Sequence, residues 1–328
     1  MKKIFILASI WCKNLWDELI LKNEIKKLEE EYPKSKFIVS TYDKSDIFYQ
    51  KNWIKFIEYF PIWIKNPKNF FRNIRNFYHF IRSIIWSDIV VFWGWWIFYD
   101  NEIKSQNPLT MWSIRSFFVK LLGKKLHILW VSISINNKKN LKKIKKIFKR
   151  ASEVLVRDND SGKILDNLWI QNTVGKDFVF DSWIENKWII AKEIDAKSCK
   201  IKDFEHINFK NKTVWIALRK GFIKNEDDFI KKLVEKILKD SWKVVFIPHS
   251  FNKNSIEEND YEFLKNFTWN NINICKNIEE SYDIYKAQTI DILIWMRLHS
   301  IILGYSYWIK TIAISYAEKT SSIIKTLK

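Results

Sequence analysis

Short apolar runs recur along this chain, and each is followed by a stretch with helical spacing. That alternation limits the fold more than any other feature. Lys3 to Ser9, Lys36 to Thr41, Asp88 to Phe92, Leu126 to Ile133 and Glu153 to Arg157 read as buried strands. Asn14 to Glu31 reads as a helix, with Leu21, Ile25 and Leu28 on one face at i, i+4 and i+7. Leu109 to Leu122, Lys139 to Arg150 and Ser161 to Leu168 read the same way. After a stretch of weaker periodicity the pattern restarts. Strands are expected at Thr213 to Leu218, Lys243 to Pro248, Ile272 to Cys275, Ile290 to Ile294 and Thr311 to Ser315. Helices are expected at Asn225 to Asp240, Ile278 to Ala287 and His299 to Tyr307. Repeated βα units predict parallel sheets with helices on both faces. The expected class is α/β: two doubly wound Rossmann-like domains facing a cleft, residues 1–180 and 213–328, joined by a linker at 181–212. Functional residues should then follow the carboxyl ends of strands.

Composition narrows the setting. No apolar run reaches the roughly 18 residues of a membrane span. The opening MKKIFILASI reads as a first strand, since no small-residue cleavage site follows it. Cys12, Cys199 and Cys275 are far apart and form no CxxC pair, which fits a reducing, cytoplasmic setting. The five histidines show no HxxxH or HExxH spacing, so no metal is indicated. The net charge of +19 suits an anionic partner, or a biased composition rich in Ile, Lys, Asn and Phe. The lysines are dispersed and match no nucleic-acid module, so no nucleic-acid partner is expected. Lys51 to Ile85 stands apart, dense in aromatic and basic residues (KNWIKFIEYF, then NFFRNIRNFYHFIRSII). It reads either as an amphipathic helix pair packed on the sheet or as a surface resting on the inner face of an anionic membrane.

The chain has 6 glycines and 18 tryptophans. Ordinary usage predicts roughly 23 glycines in this length, close to the two residue types taken together. The placement is as odd as the count. Trp130 interrupts a strand, Trp169 stands where a helix should stop, and Trp242 and Trp308 stand between a helix and a strand. Such sites need positive φ or close backbone approach, which glycine permits and tryptophan resists. The hypothesis is that most of these positions belong to glycine. Some bacterial lineages read UGA as glycine where a common code table gives tryptophan, and UGG codons at Trp95, Trp96 and Trp295 would refute it. The competing reading is a genuinely Trp-rich protein that stacks bases, sugars or headgroups. Trp53, Trp63 and Trp112 have aromatic or helical surroundings and fit neither reading clearly.

Four stretches carry polar chemistry at strand ends. The first runs from Trp11 to Glu18, where Asp17 is either a ligand-orienting acid or an ordinary first-turn helix acid. The second is VVFWGWWIFYD, in which glycines around Gly94 would let backbone amides approach an anion. The third, VWIALRK, ends a strand in Arg219 and Lys220. The fourth, WMRLHS, follows the apolar strand Ile290 to Ile294. Arg297 there can clamp a carboxylate or phosphate, and His299 can exchange a proton near neutral pH. A structural salt bridge is the bland alternative for Arg219 and for Arg297.

With glycine at the W positions, these stretches resemble the polysaccharide pyruvyl transferase family. WMRLHS resembles its C-terminal signature, NLWDE its N-terminal signature and FWGWWIFYD its glycine-rich loop. VWIALR resembles its strand-plus-Arg motif, VLVRDNDSGKIL its Arg-Asp-Ser helix start, and IAISYAEK its closing strand with Lys319. The matches run in family order from residue 4 to 319, although most motif glycines are absent as written. The resemblance implies a GT-B-like fold and transfer of the enolpyruvyl unit of phosphoenolpyruvate to a sugar as a pyruvate ketal. The acceptor would belong to a cell-surface polysaccharide or its lipid-linked precursor. On this resemblance Arg219 and Arg297 take the donor's anionic groups and His299 does acid/base work. Asn14 and Asp17 hold acceptor hydroxyls, and Gly94, Trp95, Trp96, Arg157 and Lys319 line the substrate site. No metal or cofactor is implied. Two other readings stay open: a glycosyltransferase of the same architecture using a nucleotide sugar, and a non-catalytic, basic, Trp-rich protein that binds a polyanion or polysaccharide.

Overall fold

The computed structural model describes residues 1–8, 14–42, 51–61, 67–94, 97–100, 108–135, 137–175, 190–251, 259–269, 272–297, 300, 303–304, 307–316 and 324. The chain forms two compact units: Met1–Cys12 with Asp17–Asp181, and Lys13–Trp16 with Ser182–Lys328.

The elements of the N-terminal half are β1 (Lys3–Ala8), α1 (Leu15–Glu31), β2 (Lys36–Thr41), β3 (Ile54–Glu58), α2 (Phe70–Trp86), β4 (Ile89–Trp93), β5 (Phe98–Tyr99), α3 (Pro108–Leu121), β6 (Lys125–Val131), β7 (Ile133–Ser134), α4 (Lys138–Phe148), β8 (Glu153–Val156), α5 (Asn159–Asp166) and β9 (Thr173–Val174). The sheet order is β3-β2-β1-β4-β6-β8-β9, and β5 pairs with β7 separately. The pairings are parallel. A parallel strand is covered on both faces, so its sequence is a continuous apolar run. That is why Ile4 to Ala8 and Ile89 to Trp93 are buried throughout. Phe5, Phe80, Phe92, Val131 and Ile147 share the core beneath the helices.

The second half holds β10 (Ile190–Asp195), β11 (Thr213–Ala217), α6 (Glu226–Leu238), β12 (Lys243–Phe246), α7 (Asp260–Leu264), β13 (Ile272–Ile274), α8 (Ile278–Ala287), β14 (Ile292–Trp295) and β15 (Lys310–Ser315). Its parallel sheet has the order β10-β15-β14-β11-β12-β13. Ile216, Leu233, Phe246, Ile294 and Ile312 lie in its core. Asparagines start several helices by accepting from a backbone N–H of the first turn: Asn137 from Lys139, Asn259 from Glu262 and Asn277 from Glu280.

Both units are thus doubly wound α/β structures, as the alternation predicts. Two stretches differ from expectation. Lys51 to Ile85 is not a helix pair among its described residues. It holds β3, paired with β2 from Phe37↔Ile54 to Thr41↔Glu58, and the single long helix α2. The aromatic density of IKFIEYF hid the short alternation of an edge strand. The span 181–212, read as linker, contains β10, which joins the second sheet beside β15.

Among the described residues three tryptophans take left-handed backbone angles: Trp130 (φ 49°), Trp169 (φ 58°) and Trp308 (φ 59°). Trp130 sits where the β6–β8 register shifts, a bulge. Trp169 lies just past α5, where Ile170 N–H donates to Leu165 O as in a left-handed helix stop. Trp242 does not share this geometry. It is exposed and its Nε1 donates to Asn211 Oδ1 at 3.0 Å, while Asn211 itself takes the positive φ. Trp93, Trp215 and Trp295 are buried, and their indole N–H groups have no hydrogen-bond partner among the described residues. Trp112 behaves differently: it packs edge-on against Phe92 and Tyr59, and its ring lies 4.6 Å from the Arg115 guanidinium carbon.

A left-handed non-glycine residue costs about 1–3 kcal/mol. Trp169 is 89% exposed and Trp308 63% exposed, so neither recovers that by packing. Trp169→Gly and Trp308→Gly are therefore expected to raise stability by about 1 kcal/mol each, read from the urea midpoint. Trp112→Ala is expected to lower it by about 3–5 kcal/mol.

Candidate functional site at the carboxyl ends of the strands

Each sheet has one place where strand order reverses. In the second it lies between β11 and β14, which are adjacent and whose last register pair is Ala217↔Trp295. The two strands run parallel up to that pair. Leu218 and Met296 are buried, and Met296 N–H donates to Ala217 O at 2.9 Å. Two residues beyond each strand stands an arginine, Arg219 and Arg297. Crevices outside such reversal points are where open α/β sheets bind ligands.

Arg297 is buried against Asp260, the first residue of α7. Its Nη2 donates to Oδ1 at 2.7 Å and its Nε lies 2.6 Å from Oδ2, a two-point ion pair. The backbone N–H of His249 also donates to Asp260 Oδ2, at 3.2 Å. Burial pushes the Asp260 carboxyl above its ordinary range, while Arg297, the His249 amide and Arg219 draw it down. Arg219 therefore acts on this acid through space. Its guanidinium lies 5.1 Å from the Phe222 ring, and its Nε is buried with no hydrogen-bond partner among the described residues.

His249 follows β12 and is 1% exposed. Its Nε2 lies 2.9 Å from Tyr285 Oη and 3.3 Å from Ser300 Oγ, with the Tyr285 ring edge-on. Its Nδ1 is buried with no partner among the described residues. Burial, then the Arg297 charge, pushes its pKa down to about 3, so the imidazole is neutral at working pH. Its carbonyl accepts from Leu15 N–H at 3.0 Å, and the next residue, Ser250, forms an antiparallel bridge with Asn14. Asn14 and Leu15 belong to this second unit. The structure thus connects Asn14, Arg219 and Arg297 through His249 and Asp260.

In the first unit the reversal lies between β1 and β4, whose last register pair is Ala8↔Trp93. Gly94 follows at φ 135°, an angle that side chains rarely adopt. Asp17 lies in the first turn of α1. Arg157 follows β8, and its Nε donates to Ser132 Oγ at 2.8 Å. Ser132 in turn donates to Asp158, which caps α5 by accepting from Ser161 N–H at 2.8 Å. Burial would raise the Asp158 carboxyl, but Ser132, Ser161 and Arg157 outweigh it and hold the pKa below its ordinary value. Trp95, Trp96, His299 and Lys319 lie outside the described residues.

Sequence reasoning missed His249, Asp260 and Tyr285. His249 carried a usable signal, because it follows a strand just as Arg219 and Arg297 do. Asp260 carried none: its partner Arg297 is 37 positions away.

The sequence profile of the polysaccharide pyruvyl transferases matches residues 17–318. The chain belongs to the polysaccharide pyruvyl transferase family. No curated protein matches the chain. Among solved structures it is similar to UDP-GlcNAc 2-epimerase from Neisseria meningitidis, at 13% identity over 99% of this chain and 90% of that one (TM-score 0.49). It is also similar to a glycosyltransferase from Rickettsia africae, at 13% identity over 97% and 80% (TM-score 0.45). A third, HepE from Anabaena in complex with UDP and glucose, has 11% identity over 100% and 89% (TM-score 0.45).

The buried imidazole has a consequence for this pyruvyl transferase family member. Unfolded His249 titrates near its ordinary value of about 6.5, and folded His249 near 3. Between these values the unfolded chain binds the extra proton, so stability is complete above about pH 6.5 and falls as pH drops toward 3. Urea midpoints measured from pH 7 to pH 5 should decline. In His249→Gln that decline should be shallower. Asp260, raised by burial, acts in the opposite sense above its ordinary value near 3.8, so the comparison with His249→Gln isolates the imidazole's share.

Proposed function

We propose that this protein transfers the enolpyruvyl unit of phosphoenolpyruvate to a sugar of a cell-surface polysaccharide or its lipid-linked precursor, forming a pyruvate ketal. The observation that carries the reading is the pair Arg219 and Arg297, each two residues beyond one of the two strands that flank the reversal point. Family membership supports the same class of chemistry.

The donor carries a carboxylate and a phosphate, and two guanidinium groups on adjacent strand ends suit both. Asp260 holds the Arg297 fork in place, and the buried Nε of Arg219 gives a second donor. In the reaction C3 of the enol takes a proton, an acceptor hydroxyl bonds to C2 and loses its proton, and the bond from C2 to the phosphate oxygen breaks as phosphate leaves. A second acceptor hydroxyl then bonds to C2 and loses its proton, closing the ketal. His299 is assigned the proton exchange, and Asn14 and Asp17 the acceptor hydroxyls. His249, neutral and fixed through its backbone on both sides, positions Asp260. Gly94, Arg157 and Lys319 are assigned to the substrate site. We assign positions 93, 95 and 96 to glycine in the functional protein, so that the backbone amides of this loop can approach an anionic ligand closely.

Incubating purified protein with labelled phosphoenolpyruvate and an acceptor should release phosphate and label the acceptor. Transfer from a nucleotide sugar instead would overturn the reading. Arg219→Ala is expected to lower kcat/KM by about a hundredfold, with little recovery in Arg219→Lys.

A further inference from the structure

Helix α2 carries apolar side chains on its exposed side as well as its buried one. Its buried face includes Asn76 and Ser83 beside Phe80 and Ile84, and the Asn76 side chain donates to Tyr59 O. Its exposed side carries Phe70, Phe71, Ile74, Tyr78 and Ile85. Phe71, Ile74, Tyr78 and Ile85 stand at i, i+3, i+7 and i+14, which is a single stripe along the helix. The stripe continues onto the neighbouring helix. Phe77 and Phe80 pack against Phe118 of α3, and α3 exposes Phe117 and Leu121. Apart from tryptophans, Met1 and Val174, every exposed large hydrophobic residue among those described lies on α2 or α3. A soluble surface scatters such residues, and one that gathers them marks an interface.

Charge says what covers it. Arg72 and Arg75, which share Glu58 as an ion-pair partner, and Arg82 are interleaved with the stripe, leaving it net positive. Helix α4 lies against α3, since Lys143 Nζ reaches Thr110 Oγ1 and Arg150 Nη1 reaches Ser113 O. Its exposed side presents Lys138, Lys139, Lys142 and Lys146. The three helices follow strands that advance in one direction across the sheet, so right-handed crossovers place them on one face. Aromatic side chains bordered by a lysine-rich flank suit an anionic lipid surface, where rings enter the headgroup layer and lysines meet lipid charge. A second copy of this chain, itself at +19, would bring like charges together. At 17 residues with three arginines, α2 suits lying on a bilayer and not crossing it. No helix among the described residues is long and apolar enough to cross.

We propose that the α2–α3–α4 face docks the protein on an anionic membrane surface. The inference stands whichever donor the enzyme uses. Sedimentation with vesicles tests it, comparing equal parts phosphatidylglycerol and phosphatidylcholine with phosphatidylcholine alone. The protein should bind the anionic vesicles at least about tenfold more tightly, and less so as salt rises. The variant Phe71→Ser/Ile74→Ser/Tyr78→Ser should lose about tenfold or more while keeping its circular dichroism and urea midpoint. Lys138→Gln/Lys142→Gln/Lys146→Gln should lose most of the salt dependence. The proposal fails if the protein stays in the supernatant with anionic vesicles, or if the serine variant binds like the parent. It also fails if the serine variant converts a dimer to a monomer, as judged by sedimentation velocity, with no vesicle binding in either form.

Discussion

In a parallel sheet, neighbouring strands that send their chains to opposite sides leave a gap between their carboxyl ends. Both sheets of this protein are built around one such gap, β1 beside β4 and β11 beside β14. The four stretches that the sequence marks as chemical leave these same four strands. Guanidinium groups after β11 and β14 suit a gap of this kind, and glycine at the W positions after β1 and β4 would give the second requirement, backbone without bulk. Each gap also closes on the same register pair, an alanine facing a tryptophan, Ala8↔Trp93 and Ala217↔Trp295.

The second gap is held by a buried charge pair. Asp260 and Arg297 sit away from water, a placement in which desolvation offsets much of the Coulomb attraction. Stability alone does not account for it. What the pair does supply is direction: two contacts fix the plane of the guanidinium, and the His249 amide fixes the carboxylate. His249 is fixed in turn by Leu15 at its carbonyl and by Tyr285 and Ser300 at its ring. Charging that imidazole would place a third cation beside Arg297 and Arg219, and burial together with Arg297 keeps it neutral. The network therefore orients one donor of the site without adding a mobile charge to it.

Much of this was legible in the sequence, because parallel strands are unbroken apolar runs and their order follows from helical spacing between them. β2 and α8 coincide with the spans expected for them. The failures have physical causes. β3 is an edge strand of mixed burial, so its five residues lack the apolar continuity of the others. β10 is likewise a sheet edge and carries charges at Lys192, Glu193 and Asp195, so it read as linker. Asp260 has no local mark, since only the fold brings a residue 37 positions distant against it. The polarity of α2 was visible as aromatic density, but which side faced outward was not, because Asn76 and Ser83 had to be found buried first.

The tryptophans tie these observations together. A true Trp-rich protein would use its indoles as Trp112 does, buried among rings and over a cation. Six of the other described tryptophans divide into two groups with opposite faults. Trp169 and Trp308 hold left-handed backbone in solvent, and Trp130 holds it at a bulge, where glycine carries no penalty. Trp93, Trp215 and Trp295 are buried in strands that flank the reversal points, with indole N–H groups unmatched among the described residues. One substitution removes both faults, because glycine tolerates the positive φ and has no N–H to bury beyond its backbone. No alternative residue does so at all six positions. The same substitution clears the strand ends at which the two gaps close, so the steric argument from the backbone and the chemical argument from the site select the same residue.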